Sequence, residues 1–370
     1  MTESAHSFLV YTGCNYLRQR CVLSILSGRP VKITEIRSEH DEPGIRDFEM
    51  CFLKMLDQIT NGTKTDINKT GTEVTLIPGM LRGGPFSLAC DPSRSITYFL
   101  EPLLLLGPFC KQPIRATLTG VTNNATELSV DCIKSAWLPV MRIFLLNDEA
   151  LDLEIARRGF APLGGGAVTF TCPVCRQLRP IKCLKTQKMR RVRGTAFAAK
   201  ETFGDYLSDV FITADHRKGE AGGKSPGFGL QLRAESIGDN QIVYTAHAMS
   251  QPQGTDTPSV PEDVGTEAAQ KLLTEIYRGG CVDSSAQSMA VLFMALGQPD
   301  VSQCLVGPLS NYTIQMLRHV REFFNVTFKI DTLNPPEEDD QSNPEMTGAP
   351  NKALLTCVGV GYSNLSKMLL

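Results

Sequence analysis

The 370-residue sequence lacks a net charge of either sign: 37 Lys and Arg stand against 39 Asp and Glu, for a formal charge of −2. That balance excludes a uniformly basic chain binding nucleic acid through bulk electrostatics, so any anionic partner must meet a local patch. The sequence also lacks an apolar run of the roughly 18 residues that a membrane-spanning helix needs. The longest candidate, 99–109, is broken by Glu101, Pro102 and Pro108. Near the N-terminus the short run Phe8-Leu9-Val10-Tyr11 stops at Thr12 and Gly13, too short for a secretory signal. A soluble, intracellular chain with no membrane partner is therefore expected. Its 12 cysteines stand singly apart from Cys172 and Cys175, and in a reducing compartment they read as small buried hydrophobes. With Cys183 nearby but no second cysteine pair, a tetrahedral zinc site is not expected. Neither G-x-S-x-G nor H-E-x-x-H occurs, and there are five histidines. The run Gly219-Glu220-Ala221-Gly222-Gly223-Lys224-Ser225 misses the phosphate-binding G-x-x-x-x-G-K-[ST] pattern, because its first glycine position is Lys218. Neither a cofactor nor a metal is implied.

What is present is a sizeable apolar fraction, 42%, in a chain long enough for roughly two to three domains. An internal echo organises it. The string Gly28-Arg29-Pro30-Val31-Lys32-Ile33-Thr34 resembles Lys111-Gln112-Pro113-Ile114-Arg115-Ala116-Thr117. Each follows an apolar helical segment and opens an alternating, strand-like run. A second helix follows, over 45–59 in the first copy and 128–145 in the second. Two short strands close each copy, at 64–68 and 73–77, then at 151–157 and 167–171. A weaker third copy has helices at 261–277, 286–296 and 311–324 and strands at 326–330 and 353–360. Between those strands, 334–350 is rich in Pro, Glu and Asp and reads as an exposed acidic loop. Such a repeat buries each unit's apolar face against its neighbours. Residues 180–258 interrupt the order and read as a small inserted domain.

Three local features bear on chemistry. From 176 to 193 the basic residues are Arg176, Arg179, Lys182, Lys185, Lys188, Arg190, Arg191 and Arg193, with no acidic residue among them. Such a run is either a solvated linker with snorkelling side chains or a phosphate-backbone contact. Secondly, Leu317, Val320 and Phe324 mark the apolar stripe of the 311–324 helix, which puts Arg318, His319 and Arg321 on its other faces. The same residues form a candidate acid–base group toward RNA. Thirdly, Arg158-Gly159-Phe160-Ala161-Pro162-Leu163-Gly164-Gly165-Gly166-Ala167-Val168 sets three glycines before a strand, which lets the backbone approach another backbone or an anion closely.

That last string, R-G-x-x-P-x-G-G-G-x-V, resembles the hallmark of the RNA 3'-terminal phosphate cyclase family. Leu17-Arg18, Leu26-Ser27-Gly28, Ile36-Arg37, Pro43-Gly44 and Ser225-Pro226-Gly227 are similar to the family pattern as well. The resemblance implies an α+β fold of three repeated βαβαββ units around a shared core, with an inserted small α/β domain. The implied limits are 1–85 for the first unit, 86–179 for the second, 180–258 for the insert and 259–370 for the third. Family inserts carry a full helix between two strands that here correspond to 192–198 and 209–213. Only 199–208 bridges them, so sheet surface is expected to be exposed.

Cyclases of the family form a phosphoramidate on a histidine in a P-S-x-H-x-x-T-N pattern. The matching stretch is Pro308-Leu309-Ser310-Asn311-Tyr312-Thr313-Ile314-Gln315, so Asn311 occupies the nucleophile position and its amide cannot replace imidazole. His319 lies about 12 Å further along a helix. The family's N-terminal E-G-G-G-Q is Tyr11-Thr12-Gly13-Cys14-Asn15, and its Asp-Gln pair is Ala286-Gln287. These losses, with Arg278-Gly279-Gly280-Cys281-Val282-Asp283-Ser284 and Gly359-Val360-Gly361-Tyr362-Ser363-Asn364-Leu365-Ser366, resemble the eukaryotic non-cyclase branch. That branch implies a non-catalytic, nucleolar role in ribosome biogenesis. The implied partners are the small-subunit processome in early 18S rRNA processing, a GTPase biogenesis factor and pre-rRNA. Arg18, Arg37 and Arg158, with Gly164, Gly165 and Gly166, are the expected anion or RNA contacts, together with Lys188, Arg190, Arg191 and Arg193. An alternative is an endonuclease using Arg318, His319 and Arg321, where fungal members carry Arg-Asp-x-Lys; the carboxylate of that string is missing here.

Overall fold

The computed structural model describes residues 8–187, 189–197, 210–217, 219–236, 241–252, 259–333 and 351–364. The acidic loop at 334–350, the bridge at 199–208 and Lys188 lie outside the described residues.

The first unit runs β1 (Leu9–Thr12), α1 (Leu17–Ser27), β2 (Val31–Thr34), α2 (Asp47–Ile59), the two-residue β3 (Thr60–Asn61), β4 (Lys64–Ile67) and β5 (Val74–Ile77). A short β6 (Met80–Leu81) pairs with β3. The second unit is β7 (Gly83–Ala89), α3 (Ile96–Leu106), β8 (Gln112–Gly120), α4 (Val130–Cys132) continuing through a wide turn at Ile133–Trp137 into α5 (Leu138–Phe144), β9 (Asp152–Arg157) and β10 (Gly166–Cys172). Then come β11 (Lys182–Cys183), the insert strands β12 (Met189–Phe197), β13 (Val210–Ala214), β14 (Gly229–Ser236) and β15 (Val243–Met249), and α6 (Pro261–Arg278). The third unit closes with α7 (Gln287–Leu296), β16 (Val301–Val306), α8 (Asn311–Phe324), β17 (Lys329–Leu333) and β18 (Lys352–Val358).

The three units share one topology. Their sheets have the orders β1-β2-β5-β4, β7-β8-β10-β9 and β11-β16-β18-β17. In each, the first two strands are parallel and the last two antiparallel. The architecture is the expected α+β fold of βαβαββ repeats with an inserted sheet, β13-β12-β14-β15.

Two segments sit differently from the sequence reading. Lys182 and Cys183 pair with Gln303 and Cys304, so the third sheet takes its first strand from before the insert. Helix α6, expected among the third unit's helices, packs on β14 and β15 of the inserted sheet. Its buried face is Val264, Gly265, Ala268 and Leu272, and the facing strands present Leu230, Leu232, Ala234 and Ala246. Each repeat's first strand was also absent from the residue-level pattern, as was β16.

The core lies around the first helices of the units. In α3 and α7 every residue is buried, and in α1 every residue of Leu17–Ser27 except Arg18 and Ser27 is buried. A helix without a wet face must be enclosed, and α1 is enclosed by α3 and α8, while α7 lies against α8 and α5. The Phe293 ring of α7 meets Phe109 and Phe144 of the second unit edge-on, at centroid distances of 6.2 and 5.5 Å. No described helix is long and apolar enough to cross a membrane.

Truncating Phe293→Ala removes both ring contacts and leaves a cavity between units. It is expected to cost about 3–5 kcal/mol, measured as a lower urea midpoint.

Candidate functional site

The N-terminus of α8 is the place where the sequence put a nucleophile position. Ser310 caps the helix, its Oγ accepting from the Thr313 amide at 3.2 Å, as expected of a serine at that position. Asn311 follows and is exposed. Tyr312 is tied to the other two units, and Thr313 to α7 of its own unit. The Tyr312 hydroxyl donates to Glu101 Oε1 at 2.5 Å, its carbonyl accepts from Gln19 Nε2 at 3.0 Å, and Thr313 Oγ1 donates to Gln287 Oε1 at 3.3 Å.

Arg18 completes this junction. Its guanidinium lies 2.7 Å from Glu101 Oε2, donates to the Tyr98 carbonyl at 3.0 Å, and sits 4.2 Å above the centre of the Tyr98 ring. Burial works against its charge, but the Glu101 carboxylate outweighs that and holds its pKa above the ordinary value. Burial, reinforced by Glu101, likewise pushes the Tyr312 phenol well up. Both Glu101 oxygens are thus occupied by side chains from the other two units.

His319 corrects the helix-face reading. It is fully buried, not on a polar face. Nδ1 is 3.0 Å from Gln19 Oε1, an acceptor, and Nε2 is 3.2 Å from Gln315 Nε2, a donor. This pattern matches a neutral ring carrying its proton on Nδ1. Burial, with Arg20 nearby, pushes its pKa down to about 4. Both nitrogens are engaged and neither faces solvent, which leaves no free acid–base group. Arg318 and Arg321 are exposed, as expected; Arg318 donates to Gln315 Oε1 at 3.4 Å.

Of the other two arginines, Arg37 braces the first unit and Arg158 holds a seam. Arg37 grips Glu49 through two bonds of 2.7 and 2.9 Å and donates to the Gly44 carbonyl at 3.0 Å. The hydrogen bond to Glu49 raises its pKa. Arg158 makes a two-pronged bond to Asp131 at 2.8 and 2.9 Å and donates from Nε to Asp215 Oδ2 at 2.7 Å. Arg217 also contacts Asp215, at 3.0 Å. Burial tends to raise the Asp215 pKa, but the hydrogen bonds from Arg158 and Arg217 prevail and lower it. Asp131 belongs to the second unit and Asp215 to the insert, so Arg158 joins the two. The glycine run lies on the same seam: the Lys224 amide donates to the Gly164 carbonyl at 2.9 Å. A Cβ on Gly164, whose φ is +63°, would stand 2.7 Å from the Gly120 carbonyl carbon, and one on Gly166 would meet Thr122 at 2.6 Å. Close backbone-to-backbone approach therefore accounts for Gly164 and Gly166, and on Gly165 a Cβ would strike Lys224 at 2.8 Å. The structure thus places Arg18 at the three-unit junction, Arg37 within the first unit, and Arg158 with the glycines at the insert. Each guanidinium already faces a carboxylate.

The basic run does not form one stripe. Arg179 donates to the Ile143 and Arg142 carbonyls, and Lys182 lies in the third sheet. Arg190, Arg191 and Arg193 lie on β12 of the insert. There Glu235, missed in the sequence, draws Arg191 and Arg193 to it at 2.8 and 3.6 Å. Alternation along β14 was the available signal, since it sets Arg233 and Glu235 on one face. Among the described residues no group of three or more His, Cys, Asp or Glu side chains is placed to hold a metal.

Arg158→Ala strands Asp131 and leaves Asp215 to Arg217 alone, and is expected to cost about 3–5 kcal/mol, with faster protease cleavage within the insert. For His319 the folded-state pKa lies below the unfolded value of about 6.5. Its contribution is therefore fully present above pH 6.5 and is lost as pH falls toward about 4, because only the unfolded chain takes up the proton in that window. Urea titrations should show a loss of roughly 3 kcal/mol over that range that is absent from His319→Asn.

The RNA 3'-terminal phosphate cyclase family description matches residues 9–330. The chain is 48% identical to the human RNA 3'-terminal phosphate cyclase-like protein and 48% identical to the bovine protein of the same name, covering 100% of both chains in each case. It is 34% identical to an rRNA processing protein of Schizosaccharomyces pombe, over 97% of this chain and 98% of that one. By its repeat topology, its glycine hallmark and these full-length similarities, the chain belongs to the RNA 3'-terminal phosphate cyclase family.

Proposed function

We propose that this chain is a non-catalytic rRNA-processing factor built on the cyclase fold. In finer terms it acts in the nucleolus with the small-subunit processome, in early processing of the 18S rRNA precursor. It binds a GTPase biogenesis factor and pre-rRNA, the latter through Arg190, Arg191 and Arg193 of the insert. The names of the human and bovine relatives, cyclase-like, and of the fission-yeast relative, rRNA processing, support this reading.

The observation that carries it is the chemistry at the start of α8. Asn311 stands at the nucleophile position, and an amide nitrogen has its lone pair delocalised into the carbonyl, so it cannot displace pyrophosphate from ATP. The nearest histidine on that helix, His319, is buried with both ring nitrogens occupied. The same burial argues against the endonuclease alternative, whose imidazole would have to meet RNA.

Incubated with ATP labelled at the α-phosphate, the protein is expected to form no acid-labile adduct. Asn311→His is expected to gain none either, since Tyr11 and Ala286 also depart from the cyclase pattern. An adduct on the unmodified chain would overturn the reading.

A further inference from the structure

The inserted sheet has two unlike faces. Cross-strand registers put Val192, Gly194 and Ala196 in line with Ala234, Leu232 and Leu230, and this apolar face is the one covered by α6. The opposite face carries a row in which Phe211 pairs with Arg193, and Arg193 with Arg233. Beside it runs a second row, Thr213, Thr195 and Gln231. Along β14 and β15 this face meets the second unit, with His247 Nε2 3.0 Å from the Glu127 carbonyl oxygen, but toward β12 and β13 it stands open. It bounds a cleft of about 670 Å³ whose far wall is the α4–α5 segment, with Lys134 on it. Gln231 Nε2 reaches Ser135 Oγ at 3.5 Å across the cleft.

The charge in this cleft is unbalanced. Arg191, Arg193 and Arg233 all turn to one carboxylate, Glu235, at 2.8, 3.6 and 3.1 Å. Three guanidiniums on one carboxylate leave two positive charges uncompensated at close quarters. Lys134 adds another and forms no ion pair with any described residue. Asp131, the other carboxylate of the cleft, is held by Arg158. Such a wall attracts anions. Phe211 lies on the sheet's edge strand with 63% of its surface exposed. A large apolar ring left uncovered on an edge strand is an aggregation liability that proteins ordinarily avoid, so its position next to Arg193 calls for an occupant.

We infer that this cleft seats single-stranded RNA. Phosphates lie against Arg193, Arg233 and Lys134, and an unpaired base stacks on Phe211. A cationic groove with an aromatic platform on a sheet is the arrangement that takes unpaired bases, and it tolerates varied sequence because every base has a π-face. The hydroxyls of Thr195 and Thr213 lie on the same face for base edges. An acidic peptide would satisfy the cations but would leave Phe211 without a role. The inference rests on the rRNA-processing reading and adds to it the surface and the single-stranded character of the RNA.

The test is fluorescence anisotropy of a labelled single-stranded uridine oligonucleotide with the intact protein over a series of salt concentrations. Binding should weaken with salt, with a log–log slope of about −0.7 for each phosphate neutralised. Lys134→Glu, a change at an exposed helical side chain, should weaken binding and make the slope shallower by about 0.7. Phe211→Ala should lose roughly 5- to 100-fold in affinity with the slope unchanged, and Phe211→Tyr should restore it. Thermal unfolding at the wild-type temperature shows that each variant is folded. If the wild type binds RNA and neither Lys134→Glu nor Phe211→Ala weakens it, the cleft is not the seat, while the rRNA-processing reading stands. Absence of RNA binding by the wild type, or a polyglutamate peptide that binds equally well to Phe211→Ala, also overturns the inference. The broader reading is scored separately, by whether cells depleted of the protein accumulate uncleaved 18S precursor.

Discussion

A helix buried on almost every side has no orientation in which it can face water, and this chain has one at the same place in each repeat. Helices α1, α3 and α7 each follow the first strand of a unit, and α3 and α7 are buried along their whole length. No single four-stranded sheet can cover such a helix. The units must therefore pack so that each buries its neighbours' first helix, and the second helices, α2, α5 and α8, close the outside with their amphipathic faces. The three-unit body, the position of the α8 terminus and the enclosure of His319 all follow from that requirement.

Polar groups caught inside such a body must find partners, because an unpaired buried charge costs several kcal/mol. Arg18, Arg37 and Arg158 meet the requirement with carboxylates. Glu101 answers Arg18, Glu49 answers Arg37, and Asp131 with Asp215 answers Arg158. Tyr312 shares Glu101, and Gln19 links Tyr312 to His319. Where an enzyme of this fold would carry a nucleophile, the surroundings are thus a closed network that joins three units. Glu235 in the insert departs from this rule, since one carboxylate there faces three arginines. The imbalance lies at an open cleft and not within the core.

Much of the fold could be read from the chain. The second helix and the closing strands of the first two repeats have clear periodicity, and the turns at 28–34 and 111–117 repeat each other's sequence. The first strands were not legible for identifiable reasons. Strand β11 is two residues long, β7 begins Gly83-Gly84-Pro85, and β1 is a four-residue strand. Strand β16, with polar Ser302 and Gln303 near its start, hides its alternation. Helix α6 was assigned to the third unit because it is close in sequence, whereas its apolar face matches the inserted sheet. The bridge in the insert lies outside the described residues, and after it Phe211 and Ile212 are exposed on opposite faces of β13.

By itself the sequence determined the repeat, the glycines that must lie against other backbone, the asparagine at position 311 and where the arginines fall in the chain. These are local facts: they depend on periodicity, on a missing Cβ and on the chemistry of one side chain. Only the tertiary structure decided what those arginines do and where His319 lies. Their partners are remote, Arg18 with Glu101, Arg158 with Asp215, and His319 with Gln19 across 300 positions. Of the stripe expected on α8, Val320 is buried while Leu317 and Phe324 are half-buried, and the buried face runs through Thr313, Met316, His319 and Phe323; α1 and α7 cover the helix on two sides, which one helix's pattern cannot show. The same holds for the cleft beside β13, whose cations come from three separate segments that only the register of a sheet and the docking of a neighbouring helix bring together.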